Sequence, residues 1–204
     1  MKRLITFVAF TTLWMATYAQ VNELNGGLGV NFGCPKDSVR LMMRTKHADA
    51  TFDEEKNNNM FYMKGSWLSR PVSLWAFMFT PANKLHTMIV YVTPSLESKA
   101  FETYDDVVSD LKTKYGEPTG VIENYKYPYT KEDKYSHGTT AAKLGKVTLW
   151  TYWKFPTKDE SIENSGNTIL VELDTSLDTK VKYQDGILIK DVVKKNTEQK
   201  QGDM

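Results

Sequence analysis

Apolar and polar positions along the chain fall into two periods. Leu74, Ala76 and Met78 alternate with Trp75, Phe77 and Phe79, the period of two that sends successive side chains to opposite faces of a strand. Residues 72–80 are followed by the turn Pro81-Ala82-Asn83 and a second β-rich run at 84–93. That predicts an antiparallel hairpin, which residues 60–66 extend into a meander. A different period follows. Phe101, Tyr104, Val107, Val108, Leu111 and Tyr115 recur at helical spacing, with Glu102, Asp105, Asp106, Asp110 and Lys112 opposite, so a helix is predicted over 99–115. Gly116 and Pro118 end it in the usual order, glycine just past the last turn and proline beyond. Thr103-x-x-Asp106 has capping-box spacing one turn in.

Around these elements the pattern is weaker. A short strand is predicted at 28–32 and a helix at 35–46, opened by Pro35 and Asp37 with Val39, Met42 and Met43 as its apolar face. After the long helix come strands at 121–127, 146–155, 168–175 and 181–183. Residues 128–145 and 157–167 read as long connections, and 53–59 as a polar loop. For the C-terminus two readings stand: a helix over 187–199, or a hairpin at Asp185-Gly186 with a strand over 187–193.

Two segments resemble each other. Ser73-Leu74-Trp75-Ala76-Phe77-Met78-Phe79-Thr80-Pro81 and Thr148-Leu149-Trp150-Thr151-Tyr152-Trp153-Lys154-Phe155-Pro156 share a Leu-Trp-x-aromatic core and a closing proline. Each is preceded by a helix and followed by a β-rich run. The predicted architecture is therefore α+β, with tandem helix-plus-antiparallel-meander units at 20–96 and 97–204 and both Trp75 and Trp150 in the core.

The extreme N-terminus carries a separate message. Lys2 and Arg3 precede an apolar run from Leu4 to Ala16, and Thr17-Tyr18-Ala19 places small residues where a signal peptidase reads. Residues 1–19 are thus expected to be a signal peptide cleaved before Gln20, the remainder being periplasmic or secreted in a Gram-negative envelope. The run is shorter than the ~20 residues a membrane span needs. Of 26 basic side chains two leave with this peptide, so 24 remain against 25 acidic ones. Such a balance gives no electrostatic footprint for nucleic acid or an anionic membrane. The single cysteine, Cys34, cannot make an internal disulfide, and it is expected to be a small buried apolar group rather than a nucleophile.

The order of Phe32-Gly33, a Pro-Lys-Asp helix, an aromatic meander and a helix ending Lys114-Tyr115-Gly116-Glu117-Pro118 resembles exported Bacteroidetes proteins of unknown function. Those in turn resemble the β-lactamase-inhibitor-protein-like fold shared with small outer-membrane assembly lipoproteins. The resemblance covers roughly residues 28–193 and departs from the lipoproteins in lacking their lipidated cysteine. It implies protein binding rather than catalysis and carries over no catalytic residue.

Catalytic patterns are scarce in the residues themselves. His47, His86 and His137 are isolated, without His-Glu-x-x-His or Cys-x-x-Cys spacing. Gly27-x-Gly29 lacks the third glycine of a dinucleotide loop. There is no phosphate-loop lysine motif and no Gly-x-Ser-x-Gly elbow. No cofactor is expected. One segment is richer in aromatic rings than a loop needs to be: residues 125–137 hold four tyrosines, three lysines and a histidine. Tyrosine offers contact area at low entropy cost, so Tyr127, Tyr129, Tyr135 and His137 are the candidate binding residues. The expected function is a non-enzymatic binding module with a protein partner. A carbohydrate-binding protein and a cell-envelope hydrolase, its carboxylates gathered from distant strands, are the alternatives.

Overall fold

In the computed structural model, residues 23–47, 51–53, 59–68, 70–156 and 166–202 are described. The expected leader at 1–19 and most of the polar segments at 53–59 and 157–167 lie outside them. The first elements are a two-residue pair, β1 (Gly26–Gly27) and β2 (Val30–Asn31), where a single short strand is expected, and the helix α1 (Lys36–Lys46). Pro35 sits one residue before the helix in extended backbone, with Asp37 in the first turn and Arg44 and Lys46 in the last, each on the favourable side of the helix dipole.

Strands β3 (Thr51–Asp53), β4 (Met60–Trp67), β5 (Arg70–Phe79) and β6 (Leu85–Val92) follow. Then come α2 (Ala100–Tyr115), β7 (Gly120–Tyr125), the short helix α3 (Gly138–Lys143), β8 (Val147–Phe155), β9 (Asn167–Leu173), β10 (Thr179–Gln184) and α4 (Gly186–Gly202). Eight strands form one antiparallel sheet in the order β3-β4-β5-β6-β10-β9-β8-β7. Each half is a helix followed by four strands, and the halves meet at the β6–β10 seam, where Val90 pairs with Val181.

The alternating pattern decides which face is covered. Phe61, Trp75, Phe77, Val90, Val181, Val171 and Trp153 point to one side and are buried, together with Val39 and Met43 of α1 and Phe101, Tyr104, Val107 and Leu111 of α2. His47, just past α1, sets its ring edge-on to Trp75 with centroids 4.6 Å apart. Tyr104 shares a 2.8 Å hydrogen bond with Thr151 under α2. The opposite face carries the alternate residues, which the registers bring into rows such as Tyr62, Ala76, Ile89, Lys182, Leu170 and Tyr152.

Three expectations are corrected, and one choice between two readings is decided. Trp75 and Trp150 do not correspond: β5 lies next to β6 at the seam, while β8 is separated from β10 by β9. Their phases are also opposite. Trp75 faces the helices and is fully buried, whereas in β8 the inward residues are Leu149, Thr151, Trp153 and Phe155. Trp150 therefore points to the other face and stands 41% exposed. A one-residue offset in a strand exchanges faces, and two similar motifs hid that offset.

Thr103 and Asp106 make no cap, because α2 begins at Ala100 with Lys99 before it. The capping box lies elsewhere, at a 3₁₀ turn over Lys131–Asp133. There the Asp133 carboxylate accepts the Thr130 amide at 2.8 Å, and the Thr130 side chain completes the reciprocal pair. The long connection after β7 is thus two short helical pieces rather than open loop. Finally, Asp185 settles the C-terminal ambiguity. Its carboxylate accepts the amides of Ile187 at 2.9 Å and Leu188 at 2.8 Å, the arrangement of a helix N-cap, so α4 forms instead of a strand.

Candidate functional site

Edge position sets the character of β7. Among the described residues its only strand neighbour is β8. Beyond Tyr125 the ladder closes with the Lys126 amide donating to the Lys146 carbonyl at 2.8 Å. Antiparallel pairing alternates between residues whose polar groups face the neighbour and residues whose polar groups face away. With Lys126 facing β8, the backbone groups of Tyr125, Glu123 and Val121 face outward, and no described backbone group hydrogen-bonds to them.

Apolar side chains crowd the same place. Val121 is 58% exposed on the helix side, and Ile122 is 43% exposed on the other, beside its β8 partner Trp150. Gly120 is filled by its neighbour: a Cβ there would sit 2.5 Å from the Tyr152 hydroxyl. Tyr127, just past the strand, is 91% exposed, and Tyr135 is 74% exposed. Ten large apolar side chains stand exposed among the described residues, and five of them are these. That concentration makes the β7 rim the candidate site, because scattered apolar residues need no explanation but gathered ones do.

The segment carrying Tyr135 is anchored from below. Lys134 reaches Asp105 of α2 at 2.9 and 3.1 Å, and the Tyr135 hydroxyl donates to the same carboxylate at 2.9 Å. Burial alone would lower the Lys134 pKa, but the Asp105 contact outweighs it and the net shift is upward, so the ammonium is held charged. Lys131 pairs with Glu123 at 2.7 Å, and Lys143 of α3 with Glu97 at 2.6 Å. The Tyr125 hydroxyl is raised in pKa, first by burial and then by Glu123, with Asp105 and Tyr135 adding to it. It stays a neutral donor, directed at Glu123 3.3 Å away.

Of the four candidate residues, then, Tyr127 and Tyr135 stand out from the surface. Tyr129 is half-buried between them in sequence, and His137 is exposed at the residue preceding α3. Sequence reasoning missed Val121, Ile122 and Trp150. The available sign was the adjacent pair Val121-Ile122: neighbours in a strand face opposite ways, so where helices cover one side only, both cannot be buried.

Two cavities among the described residues lie away from this rim. One of about 250 Å³ is formed by residues 23–31 with Lys114 and Tyr115, and another of about 200 Å³ lies between the turn at Thr80–Lys84 and Leu188 and Val192 of α4. The first holds the single carboxylate Glu23 and the second the single carboxylate Asp191, so neither supplies the pair that glycoside hydrolysis uses. Among the described residues no three His, Cys, Asp or Glu side chains gather as metal ligands, and no helix is long and apolar enough to cross a membrane.

The histidines are dispersed. His47 packs on Trp75, His137 is exposed, and His86 is buried with its Nδ1 2.8 Å from the Thr87 hydroxyl. Burial lowers the His86 pKa, with Asp185 opposing it. The unfolded chain therefore takes up a proton near the ordinary imidazole value, about pH 6.5, before the folded one does. Stability from this group is complete above that pH and is lost as pH falls below it. Urea midpoints should drop between pH 7 and 5 more steeply for wild type than for His86→Gln; parallel slopes would assign the dependence to other groups.

No protein-family model, curated protein or solved structure matches the chain, so its function is read from the geometry of the β7 rim alone.

Proposed function

We propose that the chain is an exported, non-enzymatic binding module whose partner is a protein, docked on the β7 rim through Tyr127 and Tyr135, with Tyr129 and His137 at its border. The observation that carries this reading is the gathering of Val121, Ile122, Tyr127, Tyr135 and Trp150, half of the exposed large apolar side chains among the described residues, around one sheet edge. Desolvating rings on a braced segment costs little ordering entropy, which favours affinity. Asp105, through Lys134 and Tyr135, is that brace. The same reading takes the two helix-plus-four-strand halves as tandem units of the β-lactamase-inhibitor-protein-like kind. The order of elements on either side of the β6–β10 seam supports it.

A glycan ligand is favoured by one observation. Trp150 and Tyr152 stand two residues apart on the face away from α1 and α2, where a sugar ring could stack. Export through a leader at 1–19 rests on Lys2, Arg3 and the apolar run that follows.

The test is capture. Protein recovered from the envelope fraction should have an intact mass beginning at Gln20. Immobilised, it should retain a protein that soluble glycan fragments do not displace. An intact mass retaining 1–19 contradicts export, and displacement by glycan fragments replaces the protein partner with a sugar.

A further inference from the structure

The proposed reading leaves open what kind of protein surface fits the rim, and the backbone of β7 answers it. An edge strand usually carries its own protection: a lysine on the strand, a proline, a bulge, or a covering loop. Over Gly120–Tyr125 the sequence is Gly-Val-Ile-Glu-Asn-Tyr, with neither lysine nor proline, and its pairing to β8 runs without a register shift. The one charge, Glu123, is turned inward against Lys131 and the Tyr125 hydroxyl. What remains is a row of outward amides and carbonyls at Val121, Glu123 and Tyr125 that no described backbone group pairs, with exposed Val121 on one side and Ile122 on the other.

Charge around this edge is one-sided. Lys126 follows the C-terminal end of β7 and is exposed, with no acidic partner among the described residues. At the N-terminal end, Lys154 of β8 lies beside Thr119, whose hydroxyl accepts the Lys154 amide at 2.9 Å. Its ammonium sits over the Tyr152 ring and has no acidic partner among the described residues. Glu117, the acid nearest that end in sequence, is engaged by Lys112 at 3.0 Å. The edge thus carries exposed Val121 and Ile122 beside a Glu123 already neutralised by Lys131, and a cationic side chain at each end. A second copy added antiparallel about a two-fold axis would set Lys126 of one copy beside Lys154 of the other, twice. Self-pairing is disfavoured.

Resting on the protein-binding reading, we infer that β7 takes an extended segment of the partner as a ninth strand. That segment alternates apolar side chains and carries an acidic residue at each end. Backbone hydrogen bonds to Val121, Glu123 and Tyr125 supply the register, as in other strand additions. Ile122 and Trp150 meet its side chains on one face, and Val121 meets them on the other. Lys126 and Lys154 select its ends.

The experiment uses the mature chain, isotope-labelled, and three nine-residue peptides of alternating valine and threonine: one with glutamate at both ends, one with lysine at both ends, and one glutamate-ended but N-methylated on alternate amides. The glutamate-ended peptide should slow amide exchange at Val121, Glu123 and Tyr125 at least tenfold. The lysine-ended peptide should bind at least tenfold more weakly, and the N-methylated one not measurably. Val121→Pro removes an outward donor without touching the β8 ladder and should weaken binding at least tenfold. Should that variant fail to fold, the exposed pair Lys126→Glu with Lys154→Glu serves instead, and it should invert the preference toward lysine ends.

Strand addition is overturned if no peptide slows those three amides, if N-methylation changes nothing, or if the charge preference survives reversal. Equal binding of the N-methylated peptide, with shifts confined to Tyr127 and Tyr135, would overturn strand addition while leaving the protein-binding reading in place. Retention of no protein in the capture experiment would remove the reading itself.

Discussion

Trp153→Ala is expected to cost about 3–5 kcal/mol of stability, the range for truncating a buried aromatic to alanine, and so to lower Tm by roughly 6–20 °C in a chain of this size. Trp153 is buried on the helix side of β8, and its indole N–H donates to the Gly116 carbonyl at 2.9 Å. That bond ties β8 to the residue that terminates α2. Gly116 has φ +82 and ψ −168, a backbone region open essentially only to glycine, and donates its own amide to the Lys112 carbonyl at 2.8 Å. Alanine at 153 removes the ring, its bond to Gly116 and its packing in the core together. Trp153→Phe keeps most of the ring and should cost about 0.5–1.5 kcal/mol, the net of one hydrogen bond, because water can reach the half-buried Gly116 carbonyl. Trp150→Ala, three residues earlier on the opposite face, should cost no more than about 1 kcal/mol. Denaturant midpoints of the three variants check the phase of β8. Equal losses at 150 and 153 would mean that both faces of this strand are covered.

Function should respond to the reverse choice of residues. Tyr127→Ala combined with Tyr135→Ala is expected to abolish partner capture while shifting stability by no more than about 0.5 kcal/mol, as surface substitutions do. Tyr127 is almost wholly exposed, and Tyr135 is held by its hydroxyl on Asp105 and by the Lys134 ammonium over its ring, both at the surface. Tyr129 is left in place because it is half-buried, and its removal would mix stability with recognition. Loss of ten-fold or more in retained partner, with unchanged melting, assigns the rings to binding. Coupled loss of both would assign them to the fold.

The elements that were legible in the sequence are those whose own side chains decide them. The alternation through 74–79 and the helical spacing from Phe101 to Tyr115 each state a face, and Gly116 states an end. What needed the structure is non-local. Leu74-Trp75 and Leu149-Trp150 look alike, yet which residue of each pair faces inward depends on the neighbouring strands. Asp185-Gly186 permits either a hairpin or a helix, and only the Asp185 carboxylate turned toward Ile187 and Leu188 selects one. Thr130-x-x-Asp133 has the spacing of Thr103-x-x-Asp106, and the difference is that a chain reversal precedes the first and a helical turn the second. At the candidate site, tyrosine density identified the segment after β7. It could not identify β7 as an edge, because edge position is a property of sheet order.

Amide hydrogen exchange of the mature chain with and without its captured partner tests the central claim most directly. Protection should appear over residues 119–137, strongest at Val121, Glu123 and Tyr125, with the rest of the sheet unchanged. Protection confined to the opposite rows around Ala76, Ile89 and Lys182, or to the cavity at residues 23–31, would contradict the assignment of the β7 rim as the docking surface.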